Sequence, residues 1–164
     1  MTPMHDMLVR LYALPDLAPA LAHCAAHGVT IRPALGAEKS AVVAWVHQHF
    51  PGAAAEVDVA LCRLPATCFI AVRAQQMLGF ACHDATAPNF FGPEGVATGA
   101  RGQGIGRALL LATLHAQRAQ GYAYAIIGGV GPAAFYAKTV GAMDIAGSTP
   151  GIYAGMLPRD LSTS

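Results

Sequence analysis

Residues Val96–Leu110 read V-A-T-G-A-R-G-Q-G-I-G-R-A-L-L. A strand-like run ends, Arg101 follows, glycines alternate at 102, 104 and 106, and a long helical pattern starts at once. This order of residue types suits an anion. Free N–H groups at a helix N-terminus, together with the helix dipole, attract a phosphate. Glycines let the backbone approach it closely and adopt conformations that a Cβ would forbid. Arg101 and Arg107 add the option of charge-assisted hydrogen bonds. Two common phosphate loops do not fit. A dinucleotide fingerprint started at Gly102 or Gly104 places Arg107 or Leu109 where its third small residue belongs. No G-K-[ST] sequence is present for a nucleotide P-loop.

Further downstream, Ala134-Phe135-Tyr136-Ala137-Lys138-x-x-Gly141-Ala142 brings a phenol and an ammonium onto one short helix. Upstream, Glu94 sits in a strand-like segment, and His83-Asp84 closes another. These are the titratable groups near enough in sequence to serve the loop. His47 and His49 are two apart on a helical pattern, so they point in different directions and make a poor metal pair; no metal site is expected. Cysteines at 24, 62, 68 and 82 form no C-x-x-C pair and read as free thiols, mostly buried as small apolar residues.

The elements that must hold these groups can be read in order. Met7–Leu14 alternates loosely as a strand, and a helical stretch runs from Pro15-Asp16 to about His27, where Gly28 ends it. Val29–Leu35 is a short strand, Ala37–Phe50 a helix stopped by Pro51-Gly52, and Ala53–Leu64 a further helix. Thr67–Arg73 and Met77–His83 make a hairpin about a turn at Ala74–Gln76. Phe90–Thr98 is a strand containing Gly92, Pro93 and Gly95, which fits a bulged edge and equally a close backbone approach to a ligand. Gln103–Gln120 is the longest helix, with Ile105, Ala108, Leu109, Ala112 and Ala116 on one face. Tyr122–Ile127 is a strand of the buried kind, Pro132–Val140 a helix closed by Gly141, and Met143–Ala146 and Ile152–Leu157 are two last strands. The order predicts an α+β (mixed α/β) domain: a central mixed twisted sheet with flanking helices.

Composition narrows the classes. Apolar residues make up 54% and charged residues 12% of the 164, with a formal net charge of +1. That excludes a disordered chain. Without a Lys/Arg cluster, binding to nucleic acid through its phosphates is not expected. No run of 18 apolar residues suggests a membrane span, and Met1–Arg10 does not read as a signal peptide, so a cytoplasmic protein is expected.

The loop resembles the [RQ]-x-x-G-x-[GA] signature of the GNAT (GCN5-related) N-acetyltransferases, here Arg101-Gly102-Gln103-Gly104-Ile105-Gly106. The segment around Tyr136 resembles that family's second signature, a helix bearing F/L-Y-x-K followed by G-F or G-A. Judged by element order, the resemblance covers residues 29–157, which sets residues 1–28 apart as an N-terminal strand–helix addition to a domain at 29–164. It implies that acetyl-CoA is the cosubstrate, with its diphosphate in the loop at Arg101, Gly102, Gln103, Gly104, Ile105, Gly106 and Arg107. Its pantetheine arm would lie against the strand end at Val96 and Ala97, in a gap between splayed strands. The Val96 N–H would stabilise the oxyanion, and Tyr136 would act as acid towards the leaving sulfur. The base for the incoming ammonium stays open among Glu94, His83, Asp84 and a water chain; Glu94 lies on the strand segment where several members keep one. Where the family often has asparagine, seven residues before the tyrosine, this chain has Gly129. The implied acceptor is a primary amine of a small molecule or peptide, with a homodimer as a further expectation. The alternatives are a non-catalytic module of the same fold that binds acyl-CoA, and a nucleotide-binding α/β protein.

Overall fold

A computed structural model describes residues 4–159. Seven strands form one sheet in the order β2-β3-β4-β5-β6-β1-β7. They are β1 (Met7–Arg10), β2 (Thr30–Pro33), β3 (Cys68–Arg73), β4 (Gln76–His83), β5 (Phe90–Val96), β6 (Tyr124–Ile127) and β7 (Met143–Asp144). The helices are α1 (Leu17–Ala26), α2 (Lys39–His49), α3 (Ala54–Cys62), α4 (Ile105–Ala119) and α5 (Ala133–Val140). All pairings are antiparallel except β5 with β6, so the sheet is mixed and its helices flank it, as the element order predicts.

The sheet has a core on each face. On one, α1, α4 and α5 bury Cys24, Leu109, Leu110, Leu114 and Tyr136 against Val9, Ala81, Phe91 and Ile127. On the other, α2 and α3 bury Val42, Val46, Val57 and Ala60 against Ile70, Phe80 and Cys82. The amphipathic reading of α4 gives it one apolar face. The structure buries Leu110, Leu111, Thr113 and Leu114 as well, because α1 covers the side turned away from the sheet. A helix enclosed on both sides is apolar almost all round.

The hairpin turn is tighter than its sequence suggests. Arg73 pairs with Gln76, and the two residues between them, Ala74 and Gln75, both have positive φ, matching the right-handed twist of the strands.

β1 enters the sheet between β6 and β7, pairing Met7–Arg10 with Ile127–Tyr124 on one side and Met7–Leu8 with Asp144–Met143 on the other. Residues 4–28 therefore contribute a strand to the interior of the same sheet and a helix packed on α4. The expected strand at Ile152–Leu157 does not form. That segment is a 3-10 turn at Gly151–Tyr153 followed by turns, and β7, the strand before it, is only two residues long with its outer edge unpaired. Pro132 is the cap before α5 rather than its first residue. Among the described residues, no helix is long and apolar enough to cross a membrane.

Candidate active site

β5 and β6 are neighbours only at Phe90–Phe91 and Ile126–Ile127. Beyond Phe91, Gly92 takes φ +113° and Pro93, which has no N–H, follows; β5 continues along β4, while β6 ends at Ile127 and runs into the Gly128–Pro132 loop. The strands part here, and the sheet opens. Opposite Phe80 lies Gly95, and the Ala97 N–H donates to the Leu78 carbonyl at 2.8 Å. Because backbone groups alternate along a strand, the N–H groups of Glu94 and Val96 turn away from β4 into this gap.

Two cavities meet at the gap. One, of about 520 Å³, runs from Glu94, Gly95 and Val96 to the glycine loop and to Phe135 and Tyr136 of α5. The other, of about 890 Å³, opens on the opposite side over Phe91–Pro93, the Gly128–Pro132 loop, Glu56, Thr86 and Tyr153. Phe50, Glu94, Pro132 and Tyr136 belong to both and form the waist between them.

At the far end of the smaller cavity, the main-chain N–H groups of residues 102–107 find no acceptor within the described chain, and the Ala108 N–H makes the first bond of α4, to the Gly104 carbonyl at 3.1 Å. Except for Gln103, these unpaired donors belong to residues that line the cavity, at the start of a fifteen-residue helix, an arrangement suited to an anion. Gly102, Gly104, Ile105, Gly106, Arg101 and Arg107 line that cavity, as does Val96. Gln103 and Ala97 do not. The Gln103 side chain instead accepts from Arg73 Nη1 at 3.0 Å, outside the loop. The loop's glycines have different reasons. A Cβ on Gly104 would lie 2.8 Å from the His23 ring, and its φ of +80° disfavours any side chain. A Cβ on Gly106 would meet only Val96 Cγ2, at an ordinary 3.7 Å. Arg101 folds back so that its Nε donates to the Val96 carbonyl at 3.1 Å, on the same open edge of β5.

The waist carries the titratable groups. Tyr136 is buried, with its ring edge-on to Phe91 and Phe135 at centroid distances of 6.1 and 5.3 Å. Burial, and then the nearby Glu94, push its phenol far above the ordinary range, so it holds its proton throughout the physiological range. Glu94 is half-buried as a residue, but its Oε2 is shut off from solvent without a hydrogen-bond partner in the described chain. Desolvation raises its carboxyl well above the usual carboxylate range.

His83 and Asp84, the other candidates for the base, line neither cavity. They are 3% and 7% exposed, and His83 Nδ1 and Asp84 Oδ2 bond each other at 2.6 Å. Asp84 Oδ1 accepts from the Asn89 N–H, and Arg63 Nε holds the Asp84 carbonyl at 2.7 Å, so this pair braces the β4–β5 loop. The glycine run after β6 is explained by packing. A Cβ on Gly128 would stand 2.6 Å from the Tyr153 hydroxyl and 2.7 Å from the Phe90 ring, and the Gly129 N–H donates to Asp6 Oδ1 at 2.9 Å. His49 stacks on Trp45 at 4.2 Å, away from His47, so the two do not converge.

The walls of the larger cavity carry no sequence motif. The Phe50 ring covers Gly95 so closely that a Cβ there would lie at 2.8 Å. Glu56 accepts from the Thr86 hydroxyl and lies 3.6 Å from Arg159 Nη2. Only the fold brings α3, the β4–β5 loop and the segment around Tyr153 and Arg159 together here.

No family model and no curated protein matches the sequence. Solved structures do. A GCN5-related glucosamine N-acetyltransferase region of a fungal multi-domain beta-N-acetylglucosaminidase superposes with a TM-score of 0.72 at 13% identity, over 87% of this chain and 20% of that one. A GCN5-related N-acetyltransferase from Sphaerobacter thermophilus gives 0.61 at 21% identity, over 87% and 49%. A Drosophila protein gives 0.57 at 18%, over 88% and 48%. The chain thus spans half or less of the length of these neighbours. With its mixed seven-stranded sheet, parted central strands and glycine loop at the head of α4, the chain has the fold of the GCN5-related N-acetyltransferases.

Proposed function

We propose that the chain transfers an acetyl group from acetyl-CoA to a primary amine of a small molecule or peptide by direct attack. The observation that carries this reading is the pair of cavities meeting at a waist of Glu94 and Tyr136, one ending in the unpaired N–H groups of residues 102–107. A linear thioester with a diphosphate suits the smaller cavity, and an amine entering from the larger one reaches the waist from the opposite side. Acetyl-CoA supplies the activated acyl carbon.

The residues then divide the work. The loop N–H groups, with Arg101 and Arg107, neutralise the diphosphate. Arg101 releases the Val96 carbonyl, freeing the β5 edge to pair with the amides of the pantetheine arm. The Val96 N–H stabilises negative charge developing on the carbonyl oxygen as the amine nitrogen bonds to the acyl carbon. Glu94 takes a proton from the incoming ammonium, and its raised proton affinity suits that exchange. As the carbon–sulfur bond breaks, Tyr136 gives its proton to the sulfur, and the second amine proton restores the phenol; one proton is released overall. The lining of Phe50, Pro51, Phe91, Pro93, Ile127 and Val130 favours an amine flanked by apolar groups.

A thiol-release assay with acetyl-CoA and a panel of primary amines tests this. Turnover with at least one amine is expected. Tyr136→Phe is expected to lower kcat by about 100-fold while CoA affinity stays within about threefold. CoA binding without thiol release would make the chain a binding module, and stabilisation by ATP or NAD in place of CoA would remove the reading altogether.

A further inference from the structure

The larger cavity holds a carboxylate that acetyl transfer leaves unused. Glu94 lies at the waist shared with the smaller cavity. Glu56 of α3 lies where the larger cavity joins a third, of about 490 Å³, over Ala54, Ala55, Ala85 and Met156. The two acids therefore stand at separate ends of one chamber, whose other walls are mainly apolar. Glu56 Oε2 accepts from the Thr86 hydroxyl, which anchors the side chain, while Oε1 makes no hydrogen bond within the described chain. Arg159 is the cation beside it. Its Nη2 is 3.6 Å from Oε1, beyond hydrogen-bond reach, and its Nη1 donates to the Gly52 carbonyl at 3.2 Å instead. Half-exposed, that guanidinium offsets little of the charge on Glu56. Tyr153, on the same wall, senses the balance: burial, then Asp6 and Glu56, raise its phenol against a smaller opposing pull from Arg159. This end of the chamber is therefore electronegative.

Resting on the acetyl-transfer reading above, we propose that Glu56 determines acceptor specificity and that the acceptor is a diamine. One amine reacts at the waist; the other, as its ammonium, donates to Glu56 Oε1. The apolar lining suits a hydrocarbon spacer between the two. A monoamine would leave the Oε1 position without that charge-assisted hydrogen bond, so the second cation selects the substrate and the first undergoes the chemistry.

Thiol release from acetyl-CoA by the full chain tests this, with straight-chain α,ω-diamines, monoamines and ω-amino carboxylates of matched length as acceptors. The unaltered chain is expected to use its best diamine with kcat/KM about tenfold or more above the matched monoamine, most of it in KM. Glu56→Gln, which keeps an acceptor for Thr86, is expected to bring that ratio to about one, and Glu56→Lys to turn the preference towards the amino carboxylate. Equal use of diamines and monoamines by the unaltered chain overturns the second-cation site and leaves acetyl transfer standing. A preference for diamines that survives in Glu56→Gln overturns the assignment to Glu56. A preference of the unaltered chain for the amino carboxylate overturns it in favour of Arg159. Thiol release with no amine removes both proposals.

Discussion

Gly104 and Gly106 stand two residues apart in the loop, and substituting them should have opposite effects on stability. At Gly104, positive φ and the His23 ring both oppose a side chain, so Gly104→Ala is expected to lower Tm by several degrees whether or not CoA is present. Gly106 has helical backbone and room for a Cβ, so Gly106→Ala is expected to leave Tm unchanged or slightly raised, since alanine is about 1 kcal/mol better in a helix. Because Gly106 lines the smaller cavity, the same change is expected to weaken CoA binding about tenfold, read by calorimetry. Glu94 offers a test through pH. Its folded carboxyl holds the proton more tightly than the unfolded chain does, so its burial cost is absent below the ordinary carboxylate pKa of about 4.3 and grows as pH rises towards the folded value. Glu94→Gln is therefore expected to raise Tm more at pH 8 than at pH 4, while abolishing most turnover. A Tm difference independent of pH would show that folding does not raise the proton affinity of Glu94.

At the scale of elements, the sequence says much about which segments form and little about which meet. The helices and the β3–β4 hairpin follow from apolar spacing and from punctuation at Gly28, Pro51-Gly52 and Gly141. The glycine loop is readable because its donors are local: the unpaired N–H groups lie on consecutive residues. The waist is only partly readable. Tyr136 can be singled out by its place in the second signature and Glu94 by its strand segment, but Phe50 reaches them from the end of α2, and nothing near residue 50 announces it. His83-Asp84 looks equivalent to Glu94 in sequence and differs only in its surroundings, where each partner satisfies the other. The strand expected at Ile152–Leu157 does not form, and no local pattern announces that β1, distant in sequence, pairs with both β6 and β7. That pairing can be tested: Val9 is fully buried in β1, and Val9→Asp is expected to cost about 3 kcal/mol or more in chemical denaturation. A loss under about 1 kcal/mol would mean that the sheet tolerates β1 detached.

For the molecule as a whole, the sheet divides at the gap. β2, β3, β4 and β5 form one antiparallel block, and β6, β1 and β7 the other; a two-residue parallel contact at Phe90–Phe91 joins them. α4 crosses beneath both blocks, and both cavities lie where they part. The place of β1 in the second block also bears on how the chain is made. A ribosome delivers Met7–Arg10 well before its hydrogen-bonding mates, Tyr124–Ile127 and Met143–Asp144. Until they arrive the strand has both edges bare, so the nascent polypeptide must keep β1 out of wrong pairings while the rest of the sheet is being made.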